Sequence, residues 1–197
     1  MMPDDSFGTL ISQRIRESIA VKEKLLRDET CLVILGQVAS IMTKALRSGD
    51  KLLFMGNGGS AADAQHLAAE FAGRYRKERR ALPAMALSVN MSSLTAIAND
   101  YSFDTVFARQ VEAMGRCGDV AIGLSTSGTS SNIVRGMETA RRLGLVTVAL
   151  TGESGGYLKD TVEYCMCVPS SETPRIQEAH ILLGHILCEI VEDAITS

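Results

Sequence analysis

From Lys51 to the C-terminus, short apolar runs alternate with helical patterns, and this alternation constrains the fold more than any other feature. The apolar runs predict strands at residues 52–55, 84–87, 120–124, 145–150 and 162–168. Helical patterns occupy residues 61–75, 91–98, 105–114, 131–143 and 174–195. Such alternation indicates a parallel sheet that is covered on both faces. We therefore expect a doubly wound α/β fold with a five-stranded parallel sheet, whose ligand lies beyond the carboxyl ends of the strands.

The first 50 residues carry two helical patterns with no strand between them. The apolar positions that define the two patterns are Leu10, Ile11, Ile15 and Ile19, then Ile34, Val38, Ile41, Met42 and Ala45. A pair of this kind either covers the domain or packs against a copy of itself, and we favour an oligomer. The 197-residue chain is thus expected to be one domain, with residues 1–50 as an oligomerisation helix pair and 51–197 as an α/β core.

Composition excludes several classes of protein. Hydrophobic residues make up 46% and charged residues 22%, as in ordinary globular proteins and unlike disordered chains. The net charge of −3, with one dense basic run at Arg74–Arg80, argues against a nucleic-acid partner. We see no apolar run near the roughly 20 residues of a membrane span and no signal peptide, so a cytoplasmic protein without a membrane partner is expected. The five cysteines include no C-x-x-C pair and are expected to be reduced and mostly buried.

The loop after the first predicted strand, residues 56–61, reads Gly56-Asn57-Gly58-Gly59-Ser60-Ala61 and opens a helix. Glycines there let backbone N–H groups approach an anion, and the helix N-terminus adds partial positive charge. The spacing also fits a dinucleotide fingerprint, which requires a carboxylate at the end of the second strand. That strand runs instead into Ser88-Val89-Asn90, which disfavours a dinucleotide; a tight turn without a ligand is the other alternative.

The loop after the third predicted strand, residues 125–130, offers five hydroxyl groups around one glycine and also leads into a helix. Hydroxyls and backbone N–H groups suit the oxygens of a phosphate monoester. An ordinary helix N-cap needs only one hydroxyl, so we favour the phosphate site. No Gly-Lys-Ser/Thr follows either loop, which makes a nucleoside triphosphatase an unlikely alternative.

Three histidines carry the remaining chemical signal. His66 and Glu70 are four residues apart on a predicted helix and share a face, whereas His180 falls inside an apolar stripe and is expected to be packed. Gln177 and His185 stand about 12 Å apart along the last helix. They could reach one metal only from either side of it or from two subunits, and we expect a site shared between subunits. Two histidines, a glutamate and an amide oxygen would suit zinc or a similar divalent ion.

These motifs, in this order, resemble the sugar isomerase (SIS) fold and, within it, the phosphoheptose isomerase family. The resemblance rests on Gly-Asn-Gly-Gly-Ser, Ser-Thr-Ser-Gly-x-Ser and Arg-Ile-Gln-Glu-x-His, together with Gly73-Arg74-Tyr75 and Ala98-Asn99-Asp100. It covers nearly the whole chain. One departure is Pro174 before Arg175-Ile176-Gln177, where many members carry Asp; proline suits a first helical turn.

The resemblance implies an aldose–ketose isomerase that converts sedoheptulose 7-phosphate to D-glycero-D-manno-heptose 7-phosphate, the first step towards nucleotide-activated heptose for lipopolysaccharide core. It implies a cytoplasmic homotetramer with one zinc per subunit, held by His66, Glu70, Gln177 and His185. Glu70 would be the base and His185 the acid. Implied substrate contacts are Asn57, Gly58, Gly59, Ser60, Glu70, Asn99, Asp100, Ser125, Thr126, Ser127, Ser130 and Gln177. The alternative is a non-catalytic SIS protein that binds the replication initiator; Glu70 and His185, which that family lacks, favour the enzyme.

Overall fold

The computed structural model describes residues 5–197, so residues 1–4 of the predicted helix pair lie outside it. Eight helices and five strands follow one another along the described chain, with a short 3₁₀ turn at Phe103–Thr105. The helices are α1 (Asp5–Leu26), α2 (Glu29–Ser48), α3 (Gly59–Ala72), α4 (Met91–Asp100), α5 (Val106–Met114), α6 (Ser131–Arg142), α7 (Leu158–Thr161) and α8 (Thr173–Thr196). The strands are β1 (Leu52–Gly56), β2 (Ala84–Ala86), β3 (Val120–Ser125), β4 (Val146–Thr151) and β5 (Tyr164–Cys167).

The five strands form one parallel sheet in the order β2-β1-β3-β4-β5, which confirms the predicted doubly wound fold. The strand order reverses between β1 and β3, which are hydrogen-bonded neighbours with Leu52 opposite Val120. The loops that follow these two strands therefore meet at the switch point of the sheet, where open α/β sheets bind their ligands.

Alternate side chains of each strand fill two separate cores. Leu52 and Phe54 of β1 face the core beneath α2, α3 and α8, whereas Leu53 and Met55 face the core that contains α5 and α6 residues. Both faces of the sheet are thus buried, and β1 and β3 have no exposed residue. This burial is why the strands appear in the sequence as continuous apolar runs rather than as alternating ones.

Helix α2 has the apolar composition of a membrane span, but one of its faces packs in the core of the domain. By length and composition it could cross a membrane, because its most apolar 18 residues have a mean hydropathy of 1.3, and 44% of that stretch is buried. One such helix is weak evidence for a membrane span, because a buried core helix can have the same length and composition. Its buried face, which includes Leu35, Val38 and Met42, belongs to the same core as the sheet.

Helix α1 leaves much of its predicted apolar stripe exposed. Ile11 is 60% exposed and Ile15 56%, although both are large aliphatic side chains. The helix packs against α8 and α2 through its other side, which buries Val21 and Leu25.

Candidate functional site

The structure brings His66, Glu70 and His185 together, and we call these three residues the α3–α8 cluster. Their ligand atoms all lie within 4.8 Å of one another. His66 Nε2 is 2.9 Å from His185 Nε2 and 3.4 Å from Glu70 Oε1. All three come from one chain, so the expectation that His185 joins His66 and Glu70 only across a subunit boundary is wrong. The physical reason is that α8 packs against α3 of the same chain, which the spacing of residues along one helix does not reveal.

A glycine in α8 permits the close approach that joins the two histidines. A Cβ placed on Gly184 would lie 2.5 Å from Leu67 Cδ2, a distance that would force the buried Leu67 to move. Gly184 precedes His185 and Leu67 follows His66, so the helices touch next to both histidines. The absence of a side chain at Gly184 therefore helps α8 to lie against α3 at the level of the cluster.

A buried ion pair holds the end of α3 that carries Glu70. Arg79 Nε donates to Glu192 Oε1 at 3.0 Å, and the two side chains are only 3% and 2% exposed. Arg79 also donates to the backbone carbonyls of Glu70, Phe71 and Gly73, which the end of a helix leaves without intrahelical partners. We call Arg79 and Glu192 the buried clamp, because together they tie α3 to α8.

The carboxylate of Glu192 also accepts hydrogen bonds from three backbone N–H groups, those of Tyr75, Arg76 and Lys77. Burial favours the neutral acid, but these bonds and the charge of Arg79 prevail and lower the pKa of Glu192. The clamp thereby fixes the segment after α3 and places the Tyr75 ring 5.6 Å from the His185 ring.

Sequence reasoning did not assign a role to the clamp, to Asp63 or to the Tyr75 ring. Asp63 lies one turn before His66, and its buried Oδ2 has no hydrogen-bond partner among the described residues. Burial raises the pKa of the Asp63 carboxyl, opposed by positive charge on His66 and His185. The sequence did contain a signal for Asp63: it lies three residues before His66, and residues three apart on a helix share a face.

Gln177, the fourth predicted metal ligand, lies against the start of α3. A Cβ on Gly59 would collide with its side-chain amide, so Gln177 contacts the glycine loop directly. Gln177 and His185 thus meet α3 at Gly59 and His66 respectively, on the same face of α8. Its role as a ligand stays a prediction.

The glycine loop (residues 56–61) and the hydroxyl loop (residues 125–130) are joined side by side, as their adjacent strands require. Asn57 Nδ2 donates to Asn132 Oδ1 at 2.8 Å, and Asn132 Nδ2 donates back to Asn57 Oδ1 at 3.0 Å. Asn132 is buried in the first turn of α6. This reciprocal amide pair holds the two loops in fixed relation, a role the sequence did not reveal.

The hydroxyl loop is ordered mainly by its own short-range bonds. Ser125 Oγ donates to Ser130 Oγ at 3.2 Å and accepts from the backbone N–H of Gly128, whose φ is +67°. Ser130 is the N-cap of α6 but makes no side-chain capping bond. The hydroxyls therefore exceed what the helix start uses, which supports the prediction of an anion site over an ordinary cap.

Two further sequence expectations have different outcomes. His180 is fully buried, and its Nε2 donates to the Thr151 carbonyl at 3.1 Å, which confirms a packed histidine; burial lowers its pKa to about 4. Asn99 and Asp100 are exposed at the end of α4, where Asn99 Nδ2 donates to Asp100 Oδ1 at 2.8 Å. Their contact with substrate stays a prediction.

The α3–α8 cluster has the donors of a divalent metal site. Two imidazole nitrogens and one carboxylate match the three protein ligands that catalytic zinc sites use, with a further position for water or substrate. His66 and His185 are close enough to share one ion, and the site is partly open, because the His66 side chain is 48% exposed. The same carboxylate and imidazoles can also move protons.

The chain is similar to known proteins over almost its whole length. The family model for the SIS domain matches residues 17–152. A phosphoheptose isomerase of Roseiflexus sp. (strain RS-1) is 52% identical over 96% of this chain and 95% of its own length. That of Aneurinibacillus thermoaerophilus is 50% identical over 94% and 93%. The structure of a phosphoheptose isomerase from Neisseria gonorrhoeae superposes with a TM-score of 0.89 at 40% identity, covering 95% of this chain and 99% of that one.

Proposed function

This chain belongs to the phosphoheptose isomerase family, and on that basis we propose that the α3–α8 cluster and the two phosphate-suited loops together isomerise a heptose phosphate. The chain is a sugar-phosphate isomerase of heptose biosynthesis. Its substrate is sedoheptulose 7-phosphate and its product D-glycero-D-manno-heptose 7-phosphate. The observation that carries the proposal is the convergence of His66, Glu70 and His185 beside Tyr75 within one chain.

Aldose–ketose isomerisation moves a proton between C1 and C2 of the open-chain sugar through an ene-diol, which requires a base and an acid. Glu70 is the proposed base, because a carboxylate held by the clamped end of α3 can reach a C–H proton without moving the helix. His185 is the proposed acid for the neighbouring oxygen, since imidazole exchanges protons near neutral pH. Tyr75 packs on the His185 ring and orients it.

We further propose that the cluster holds one zinc per subunit, with His66, Glu70, Gln177 and His185 as ligands. The donor set supports this, because two imidazoles and a carboxylate are what zinc accepts in catalytic sites. A bound divalent ion would polarise the sugar carbonyl. Glu70 has two carboxylate oxygens, so one can serve as ligand while the other takes the proton.

The substrate phosphate is proposed to bind at the hydroxyl loop, through Ser125, Thr126, Ser127 and Ser130. Neither loop contains a lysine or arginine, so the phosphate oxygens would be held by hydroxyls and by the free N–H groups of α6. The glycine loop (Asn57, Gly58, Gly59 and Ser60), Gln177 and the exposed pair Asn99 and Asp100 are proposed to contact the sugar hydroxyls.

We propose a cytoplasmic homotetramer in which the helix pair of residues 1–50 packs against copies of itself, while residues 51–197 form the catalytic core. Support comes from the exposed apolar stripe of α1, where Phe7, Ile11 and Ile15 are each more than half exposed. Such a stripe is typical of a surface that another subunit covers. The product would enter the synthesis of lipopolysaccharide core or another surface glycan.

The deciding experiment measures turnover of sedoheptulose 7-phosphate by the purified protein, with metal content and assembly size determined on the same sample. We expect turnover, and about one zinc per chain. Metal-loaded, folded protein that leaves the substrate unchanged would contradict the enzymatic proposal, and tight binding to a replication initiator in that sample would favour the non-catalytic alternative.

A further inference from the structure

Cys165 and Cys167 form a close thiol pair on β5, away from the α3–α8 cluster. Their Sγ atoms are 3.7 Å apart, and both residues are half-buried. Residues two apart on a strand share a face, so the two side chains stand side by side on the sheet. β5 is one of the two edge strands of the sheet, with Cys165 opposite Ala149 and Cys167 opposite Thr151 of β4.

We propose that Cys165 and Cys167 are a modification site, at which a peroxide or a small disulfide oxidises the pair to a reversible intrachain disulfide. With hydrogen peroxide, the Cys167 thiolate attacks one oxygen and the O–O bond breaks. Hydroxide departs, and Cys167 becomes a sulfenic acid. The Cys165 sulfur then attacks the Cys167 sulfur, and the displaced hydroxyl takes the Cys165 proton to leave as water. Two thiols lose two electrons in total, and the peroxide gains them.

The surroundings of the pair separate the roles of the two sulfurs. A hydrogen bond from the Cys165 thiol is the main cause that lowers the pKa of Cys167 to about 6, against the effect of burial. The Thr151 hydroxyl, 3.5 Å from Cys167 Sγ, and the positive charge of Lys159 act in the same direction, while Asp28 opposes them. The same bond, with Cys165 as its donor, raises the pKa of Cys165. Thr151 and Lys159 act on both thiols, so the roles follow mainly from which thiol donates the shared hydrogen bond; with Cys165 as the donor, Cys167 is the attacking thiolate and Cys165 the resolving thiol.

Strand geometry makes the product easy to reduce again. Two positions on an extended strand have Cα atoms about 6.4–6.8 Å apart, at the upper limit for a disulfide. Closing the S–S bond from 3.7 Å therefore strains β5, and strained disulfides are the labile and regulatory ones. An edge strand can yield in this way, because only β4 holds it in the sheet.

The other cysteines provide internal controls. Burial raises the pKa of Cys31 to about 11 and that of Cys188 to about 12, so both are inert thiols near neutral pH. Cys117 is exposed and has no described thiol neighbour. Oxidation of Cys165 and Cys167 without oxidation of the other three cysteines would therefore distinguish this pair from ordinary thiols.

The test treats the reduced full-length protein with a slight excess of hydrogen peroxide at mildly acidic pH and follows it by intact and peptide mass spectrometry. We expect loss of two hydrogen atoms within the peptide that contains both cysteines, reversal by dithiothreitol, and a reaction roughly tenfold faster than that of an ordinary thiol. A disulfide from Cys31 to Cys167, or oxidation of Cys117 while the pair stays reduced, would overturn the proposal.

Two serine variants test the assigned roles. Cys165→Ser keeps a hydroxyl donor beside Cys167, so Cys167 should stop at a sulfenic acid that a dimedone probe captures. Cys167→Ser should leave Cys165 slower to react than Cys167 is in Cys165→Ser, because burial still raises the pKa of Cys165, and Cys117→Ser, the matched control, should behave like the parent. Equal capture in both pair variants would contradict the division of roles. None of these measurements uses turnover, so their outcome is independent of the proposed function.

Discussion

The α3–α8 cluster and the hydroxyl loop lie on the same domain but are built in different ways. The cluster joins side chains 119 positions apart and depends on how α3 packs against α8. The hydroxyl loop takes most of its order from short-range bonds, such as that from the Gly128 N–H to Ser125 Oγ, and its Thr126 and Gly128 carbonyls also accept backbone bonds from Gly152 and Leu158. The cluster therefore depends wholly on contacts between distant residues, whereas the loop depends on its own residues and on the segment of residues 152–158 that packs against it.

The largest expected effect follows from removing a proton-transfer group of the cluster. Glu70→Gln and His185→Gln should each lower kcat by about 10²–10⁴-fold, because a positioned acid or base is lost. Steady-state assays with sedoheptulose 7-phosphate measure this, with circular dichroism to verify folding. Glu78→Gln is the control, since among the described residues Glu78 forms an ion pair with the exposed Arg74 alone, at 3.8 Å. Near wild-type turnover by either cluster variant would refute the roles.

Variants of the buried clamp test how much an ion pair between distant residues contributes to the stability of the fold around the cluster. Glu192→Gln should lower the free energy of unfolding by about 3–5 kcal/mol, because it leaves Arg79 as an unpaired buried charge. Urea denaturation measures the change. Glu112→Gln removes the partner of Arg142 in an exposed pair and should cost only about 0.2–1 kcal/mol. Equal losses for the two variants would show that the clamp is energetically no different from a surface pair.

His180 should make the stability of the protein depend on pH. Its ring bonds the Thr151 carbonyl at the end of β4, and the next residue, Gly152, donates its N–H to Thr126 O of the hydroxyl loop. Burial lowers the pKa of His180 from 6.5 to about 4, so the unfolded chain binds a proton that the folded chain does not. Stability is therefore lost as pH falls from 6.5 towards 4, by up to roughly 3 kcal/mol.

Urea denaturation at several pH values across this window measures the His180 effect. His180→Gln keeps a donor for the Thr151 carbonyl and should show a shallower pH dependence than the parent. Glu192, whose pKa is lowered, adds a loss in the same direction at lower pH, and it should persist in the variant. An unchanged slope for His180→Gln would exclude His180 as a source.

Changes in the hydroxyl loop should affect binding more than chemistry. Replacing Ser125 and Thr126 by alanine should raise KM roughly tenfold or more with a smaller change in kcat, because hydrogen bonds to a charged group contribute about 1.5–3 kcal/mol each. Ser131→Ala is the matched control, since that hydroxyl donates to Asp104 outside the loop. An unchanged KM would contradict this site and would indicate that the phosphate binds at the glycine loop instead.

The last experiment is expected to produce no change in activity. It tests whether each cluster is built from the residues of a single chain. Inactive Glu70→Gln chains co-assembled with inactive His185→Gln chains should stay inactive, because each chain supplies both residues to its own cluster. Assays of purified mixed oligomers measure this, with the separate variants as baselines. Recovery of activity would mean that the two residues serve one site from different chains.

Most of the fold could be predicted from the sequence because its signals are local. The five apolar runs and the helical patterns between them match the observed elements, and β5 differs most, with four strand residues where seven were expected. In the site, the i, i+4 relation of His66 and Glu70 and the hydroxyl-rich loop were also visible. The placement of His185 was not, because helix spacing states how far apart two residues are and not what packs against them.

The sequence by itself determined the glycine loop, the hydroxyl loop and the parallel sheet, since hydrogen bonds and side-chain alternation act over a few residues. Only the tertiary structure decided that His185 meets His66 in the same chain, that Arg79 and Glu192 clamp the end of α3, and that Asn57 pairs with Asn132. These contacts join residues at least 75 positions apart. The packing of whole helices and strands creates them, and no short sequence pattern records that packing.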